Sequence, residues 1–108
     1  MSSPPKHWRL EIDADRIAWL TFDLAGSGTN TLGSGPMQEL DVLLGEVESA
    51  QPLALVIRSA KEGGFVAGAD ITEFTGLGDE AQAYELVRKG QRVFDRIQSL
   101  PMPTVAAI

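Results

Sequence analysis

The 108-residue sequence has no cysteine and one histidine, His7. No disulfide can brace the fold, no thiolate can hold zinc and no cluster of imidazoles can gather a transition metal, so no metal site is expected. Positive charge is also sparse. Nine Lys and Arg stand against fifteen Asp and Glu, giving a formal net charge of −6. The cations are scattered, whereas a nucleic-acid footprint needs them gathered on one face, so DNA and RNA are not expected partners. No run approaches the roughly 20 apolar residues of a membrane span. The opening "MSSPPKHWRL" has no apolar segment of the kind that directs secretion. The expectation is a soluble, cytoplasmic protein.

Two nucleotide-binding signatures are missing as well. A phosphate-binding P-loop ends in Gly-Lys-Ser/Thr, and no lysine follows Gly64 or Gly68. Gly26, Gly28, Gly33 and Gly35 do not have the spacing of a dinucleotide fingerprint.

What is present alternates between strand and helix patterns. "HWRLEID" and "RIAWLTFDL" are rich in β-formers and flank Asp13 to Asp15, which predicts an antiparallel hairpin. A loop crowded with Gly, Ser and Thr then leads to Pro36, suited to the first turn of a helix. Met37, Leu40, Leu43, Leu44 and Val47 follow at helical spacing, with polar residues opposite, and the helix should stop before Pro52. "LALVIRS" is a short, nearly continuous apolar run of the kind a parallel strand shows when both faces are covered.

After Gly78, Asp79 is placed to cap a second helix whose Tyr84, Val87, Val93, Phe94, Ile97 and Leu100 form an apolar stripe, with Arg88, Lys89, Arg92 and Asp95 in solvent. His7, Trp8, Trp19 and Tyr84 carry no distinctive spacing and read as packing residues. "PMP" ends the helix and "TVAAI" begins another strand. The alternation predicts an α/β fold with a mainly parallel sheet and covering helices, a single partial domain over residues 1–108. Ile108 closes an apolar run with no turn, cap or charge after it, so the sheet is expected to be cut there. Apolar surface left uncovered by such a cut predicts self-association as a homo-oligomer.

The most informative stretch is "GGFVAGADITEF", from Gly63 to Phe74. A strand, a loop of small residues and a helical start place backbone amides at a strand's carboxyl end, where α/β proteins take their ligands. Ala67, Gly68 and Ala69 would let a ligand approach the main chain closely. Fixed N–H donors there could form an oxyanion hole. Tight packing of a helix against a strand would use the same small residues, and residue spacing does not separate the two readings. Asp70, Glu73 and Glu62 lie close by in sequence, as an acid–base pair or as helix caps and dipole partners.

"FVAGADITEF", with its preceding strand "VIRSAKEGG", resembles the oxyanion-hole motif of the crotonase (enoyl-CoA hydratase/isomerase) superfamily. "NTLGSGPMQEL" from Asn30 is similar to that family's Asn-x-Leu stretch leading into its first helix, and "PMPTVAAI" to the strand before its second glycine-rich segment. The likeness runs from Trp8 to Ile108. It implies the N-terminal part of a crotonase-like ββα spiral fold and an enoyl-CoA hydratase of fatty-acid β-oxidation acting on trans-2-enoyl-CoA.

By this resemblance the N–H of Ala69 is the first donor to the thioester carbonyl. Ala67, Gly68, Asp70 and Ile71 line the substrate, and Asn30 to Leu32 approach it through main-chain groups. Coenzyme A enters only as part of the thioester substrate, with no separate cofactor. Family members often carry Lys or Arg shortly before that Asn, where this sequence reads "AGSGT", so the resemblance assigns no phosphate contact on this side. The family's second oxyanion donor and both hydratase glutamates lie beyond Ile108, so the chain alone is expected to be inactive. An enoyl-CoA isomerase, an acyl-CoA hydrolase or a non-catalytic binding module would share this half.

Overall fold

The computed structural model describes residues 5–62, 64–65 and 80–107. Two strands open the chain, β1 (Trp8–Ile12) and β2 (Ile17–Phe22), paired antiparallel with Trp8 opposite Phe22 and Ile12 opposite Ala18. The turn between them is organised by Asp13. Its carboxylate accepts the N–H groups of Asp15 and Ile17, while Arg16 takes a left-handed conformation with φ of 64°.

Helix α1 (Ser34–Ala50) follows the loop after β2. Gly33 caps it and Pro36 lies in its first turn, where a missing N–H costs no helical bond. Gln51 closes the helix in the left-handed region, donating its N–H to the Val47 carbonyl, and Pro52 follows. Strand β3 (Ala54–Ser59) then runs parallel to β2. Helix α2 (Glu80–Gln98) leads through Pro101 and Pro103 into β4 (Thr104–Ala107), parallel to β3. The sheet order is β1-β2-β3-β4. Three parallel strands therefore present their carboxyl ends along one edge of the molecule.

The period-two alternation of the strands and the helical period of α1 meet in one core. Trp8, Ala18, Leu20, Phe22 and Leu55 point from the sheet into the buried stripe Leu40, Leu43, Leu44 and Val47. Trp8 stacks on Phe22 with ring centroids 4.4 Å apart and donates its indole N–H to the Pro36 carbonyl at 3.0 Å. One aromatic pair thus ties the hairpin to the start of α1.

Two packing expectations need correction. In β3 only Leu55 is buried, and the other five residues are partly exposed. Val56 and Arg58 turn to the face away from α1. There Arg58 lies 4.5 Å over the Trp19 ring and donates to the Thr21 hydroxyl. Trp19 is thus half-buried under a cation instead of lying in the core.

In α2 the expected stripe splits. Val93 is buried and Ile97 and Leu100 pack against the core, but Tyr84, Val87 and Phe94 are exposed. Gly90 faces Met37 of α1, where an added Cβ would lie 3.8 Å from the Met37 methyl. Gly90, Val93 and Ile97 share the face turned to α1, and this rotates Tyr84, Val87 and Phe94 outward. Arg88 is half-buried and donates to Gln91, while Lys89, Arg92 and Asp95 are solvated as expected. Arg96 bonds Glu48 and Asp41 of α1, and these two acceptors hold its guanidinium above its usual range. Asp79 lies outside the described residues.

Candidate functional site at the carboxyl edge of the sheet

Where parallel strands end, the chain must leave the sheet and still satisfy the last carbonyl groups. At the end of β2 the Phe22 carbonyl takes the Ala60 N–H at 2.9 Å and is shared with Asn30, which is 2% exposed. Its amide nitrogen lies 3.1 Å from the Phe22 carbonyl, 2.9 Å from the Ser59 hydroxyl and 3.1 Å from the Phe65 carbonyl. Its side-chain oxygen accepts the Leu24 N–H at 2.9 Å. Phe22 ends β2, Ser59 ends β3 and Phe65 lies beyond β3, so one carboxamide joins three segments. Two of its three acceptors are backbone carbonyls, which fixes the amide's orientation, because the reversed one would set oxygen against oxygen.

Around Asn30, two further side chains pin the loop after β2. Lys61 forms an ion pair with Asp23 and donates to the carbonyls of Leu24 and Ser27. Its own N–H donates to the Ser59 hydroxyl. His7 accepts the Ala25 N–H on Nδ1 at 3.0 Å, while its backbone carbonyl takes the Asp23 N–H. Glu39, on α1, receives the N–H groups of Lys6 and His7.

The "AGSGT" loop, crowded with Gly, Ser and Thr, is therefore tethered by Lys61, His7 and Asn30. Ser59 and Lys61 were not singled out in the sequence, and His7, read as a packing residue, instead bonds the loop through its ring and its carbonyl. A serine ending a strand is a weak signal, and nothing local marks Lys61 as a partner of a loop 34 residues away.

Among the expected site residues, Asn30 and Leu32 fall in the described part. Asn30 spends its side chain on the fold. Leu32 is half-buried and borders an open groove of about 830 Å³ between the start of α1 and α2, with Met37, Leu86, Val87, Val93 and Phe94. Ala67, Gly68, Ala69, Asp70 and Ile71 lie outside the described residues, as does Glu73. Glu62 is exposed after β3. No helix among the described residues is long and apolar enough to cross a membrane.

No family model matches the sequence. It is 39% identical over 107 residues to the fatty acid oxidation complex subunit alpha of Idiomarina loihiensis, an alignment covering 98% of this chain and 15% of that protein. The chain thus spans about 15% of the length of this curated relative.

The fold resembles an enoyl-CoA hydratase from Bacillus anthracis with a TM-score of 0.82 at 22% identity, over 94% of this chain and 39% of that one. It also resembles Pseudomonas aeruginosa DspI with a TM-score of 0.81 at 26% identity, over 99% of this chain and 40% of that one.

Proposed function

We propose that this chain, a crotonase-fold homologue of fatty acid oxidation complex alpha subunits, is the N-terminal, acyl-CoA-binding part of an enoyl-CoA hydratase. The observation that carries the reading is the agreement of two likenesses over the same length. The sequence aligns to an alpha subunit over 98% of the chain, and the fold superimposes on a hydratase over 94% of it.

In this reading the acyl-CoA thioester lies across the carboxyl edge of the sheet, against the backbone from Ala67 to Ile71 and the segment from Asn30 to Leu32. Water adds to C3 of the trans-2-enoyl thioester. A glutamate from outside this chain takes the water's proton, the C2–C3 π electrons move toward the carbonyl, and negative charge gathers on the thioester oxygen. The Ala69 N–H meets that oxygen as the charge develops, where a fixed donor acts on the transition state. A second glutamate then protonates C2. The chain supplies binding and one oxyanion donor, and the isolated 108-residue polypeptide should not hydrate crotonyl-CoA above background.

The test is a pair of substitutions in the complete protein. Ala69→Pro removes the assigned N–H, whereas Ala67→Ser leaves every backbone donor in place. Loss of one oxyanion donor lowers turnover by roughly 100- to 1000-fold, or about 3 to 4 kcal/mol of transition-state stabilisation. Ala67→Ser should cost far less. Near-normal turnover by Ala69→Pro, with circular dichroism and thermal midpoint unchanged, would return the loop to a packing role.

A further inference from the structure

We propose that Asn30 is a positioning residue that sets where the chain leaves the sheet at Phe65, four residues before the assigned oxyanion donor. The catalytic half of this inference rests on the hydratase reading above. The structural half does not.

The argument comes from what the carboxamide joins. The Phe65 carbonyl is part of no strand and lies past the end of β3. Asn30 bonds it together with the Phe22 carbonyl, the last of β2, and the Ser59 hydroxyl, the last side chain of β3. With two hydrogens facing three acceptors, the amide shares a hydrogen between acceptors and has none left to donate to a ligand. Its oxygen is used on Leu24. Burial to 2% exposure removes competing water, so each of these bonds is hard to replace. Phe65 is thereby referenced to the rigid ends of two strands. A side chain that served only to satisfy Phe22 would not need to reach a carbonyl 35 residues away.

Asn30→Asp is nearly isosteric but turns a donor into an acceptor, setting a buried carboxylate oxygen against the Phe22 and Phe65 carbonyls. Asn30→Ala removes the bonds without adding charge and serves if the first variant folds poorly. Ser59→Ala deletes one acceptor and keeps the bond to Phe65.

Hydrogen exchange on the 108-residue chain gives the first readout. Both Asn30 variants should exchange faster across residues 64–71 than the wild type, while peptides covering β2 keep their protection. Ser59→Ala should leave 64–71 close to wild type. Faster exchange in β2 and 64–71 by the same factor would overturn the proposal, as would unchanged exchange at 64–71 or global unfolding of both Asn30 variants. Any of these would make Asn30 a general stability residue or leave it without influence on Phe65.

Turnover of crotonyl-CoA by the complete protein gives the second readout. Misplacing a reacting group by about 1 Å can cost roughly 100-fold. A fall of that order in kcat with KM little changed is expected for Asn30→Ala, against a far smaller loss for Ser59→Ala. Equal losses in the two variants would overturn the positioning role. If the wild-type protein itself neither binds nor turns over crotonyl-CoA, the hydratase reading fails, and the exchange result still decides the role of Asn30.

Discussion

The hairpin with α1 and the pair α2–β4 are built from similar proportions of apolar residues, yet they bury them to different degrees. In the first region Trp8, Leu20, Phe22, Leu40, Leu44 and Val47 are all within a few per cent of full burial. In the second, every residue of β4 is exposed, Val93 is the one buried residue of α2, and Tyr84 stands 63% exposed. The first region closes its apolar faces on one another. The second presents an apolar side to whatever lies against it, because α2 meets α1 along the narrow Gly90, Val93 and Ile97 stripe and β4 lends only its backbone to β3. Pairing in a sheet satisfies hydrogen bonds without burying side chains. Membership of the sheet and membership of the core are thus separate properties here.

The sharpest way to break this comparison is to cut one large side chain from each region. Phe22→Ala removes the ring stacked on Trp8 and leaves a cavity beneath α1, and should cost about 3 to 5 kcal/mol of unfolding free energy in a denaturant titration. Val105→Ala, at a site 54% exposed, should stay within about 0.5 kcal/mol. A Val105 loss as large as that of Phe22 would show that the solution species buries β4 against another surface. Self-association, expected from the sequence, would then follow from the same measurement made over a range of protein concentrations.

The legibility of the fold follows the same division. The Asp13–Asp15 turn, the α1 stripe and the strand at Leu55 were readable because each depends on neighbours a few residues apart. In α2 the residues Tyr84, Val87 and Phe94 and the residues Gly90, Val93 and Ile97 both satisfy a helical period. Periodicity fixes the angle between stripes but not which of them faces α1. That choice depends on packing between helices far apart in sequence, where Gly90 faces Met37.

Asn30 shows the same limit from the polar side. It was marked as a residue of the substrate-binding segment, but its bonds reach Ser59 and Phe65, 29 and 35 residues on, and no local pattern encodes them. The glycine–alanine motif from Gly63 to Phe74 carried the family resemblance, but small residues in that order suit close approach to the backbone and tight packing alike.

A smaller effect probes the seam between the regions. Arg96 carries the ion pairs from α2 to Asp41 and Glu48 of α1, at 2.7 and 2.8 Å, with its side chain one-third exposed. Solvent screening limits what such a pair contributes, so Arg96→Gln should cost about 0.5 to 1 kcal/mol at low salt and less at high salt. If the loss does not shrink with salt, packing of the Arg96 guanidinium over Gly45 accounts for it instead of charge.

The smallest expected effect lies at the far end of the first region, in the turn that starts it. The Asp13 carboxylate accepts the Trp19 indole N–H and the N–H groups of Ile17 and Asp15, and these bonds, the Trp19 bond foremost, hold its pKa below the ordinary 3.8. A folded-state pKa below the unfolded one means that the folded chain prefers the ionised form. The contribution is therefore present in full above the unfolded pKa and is lost as pH falls through the folded value. Asp13→Asn keeps a side-chain oxygen that can still accept but cannot titrate. Between neutral pH and about pH 3, near the ordinary carboxylate range, the wild type should lose slightly more stability than Asp13→Asn, read as the difference of thermal midpoints at each pH. The site is fully exposed, so the divergence should be slight and should weaken with salt. Parallel pH profiles would mean that the turn is held by its backbone bonds and the left-handed Arg16 alone. A wild type that gained on the variant as pH fell would reverse the sign required by a lowered pKa and remove Asp13 from the account of acid stability.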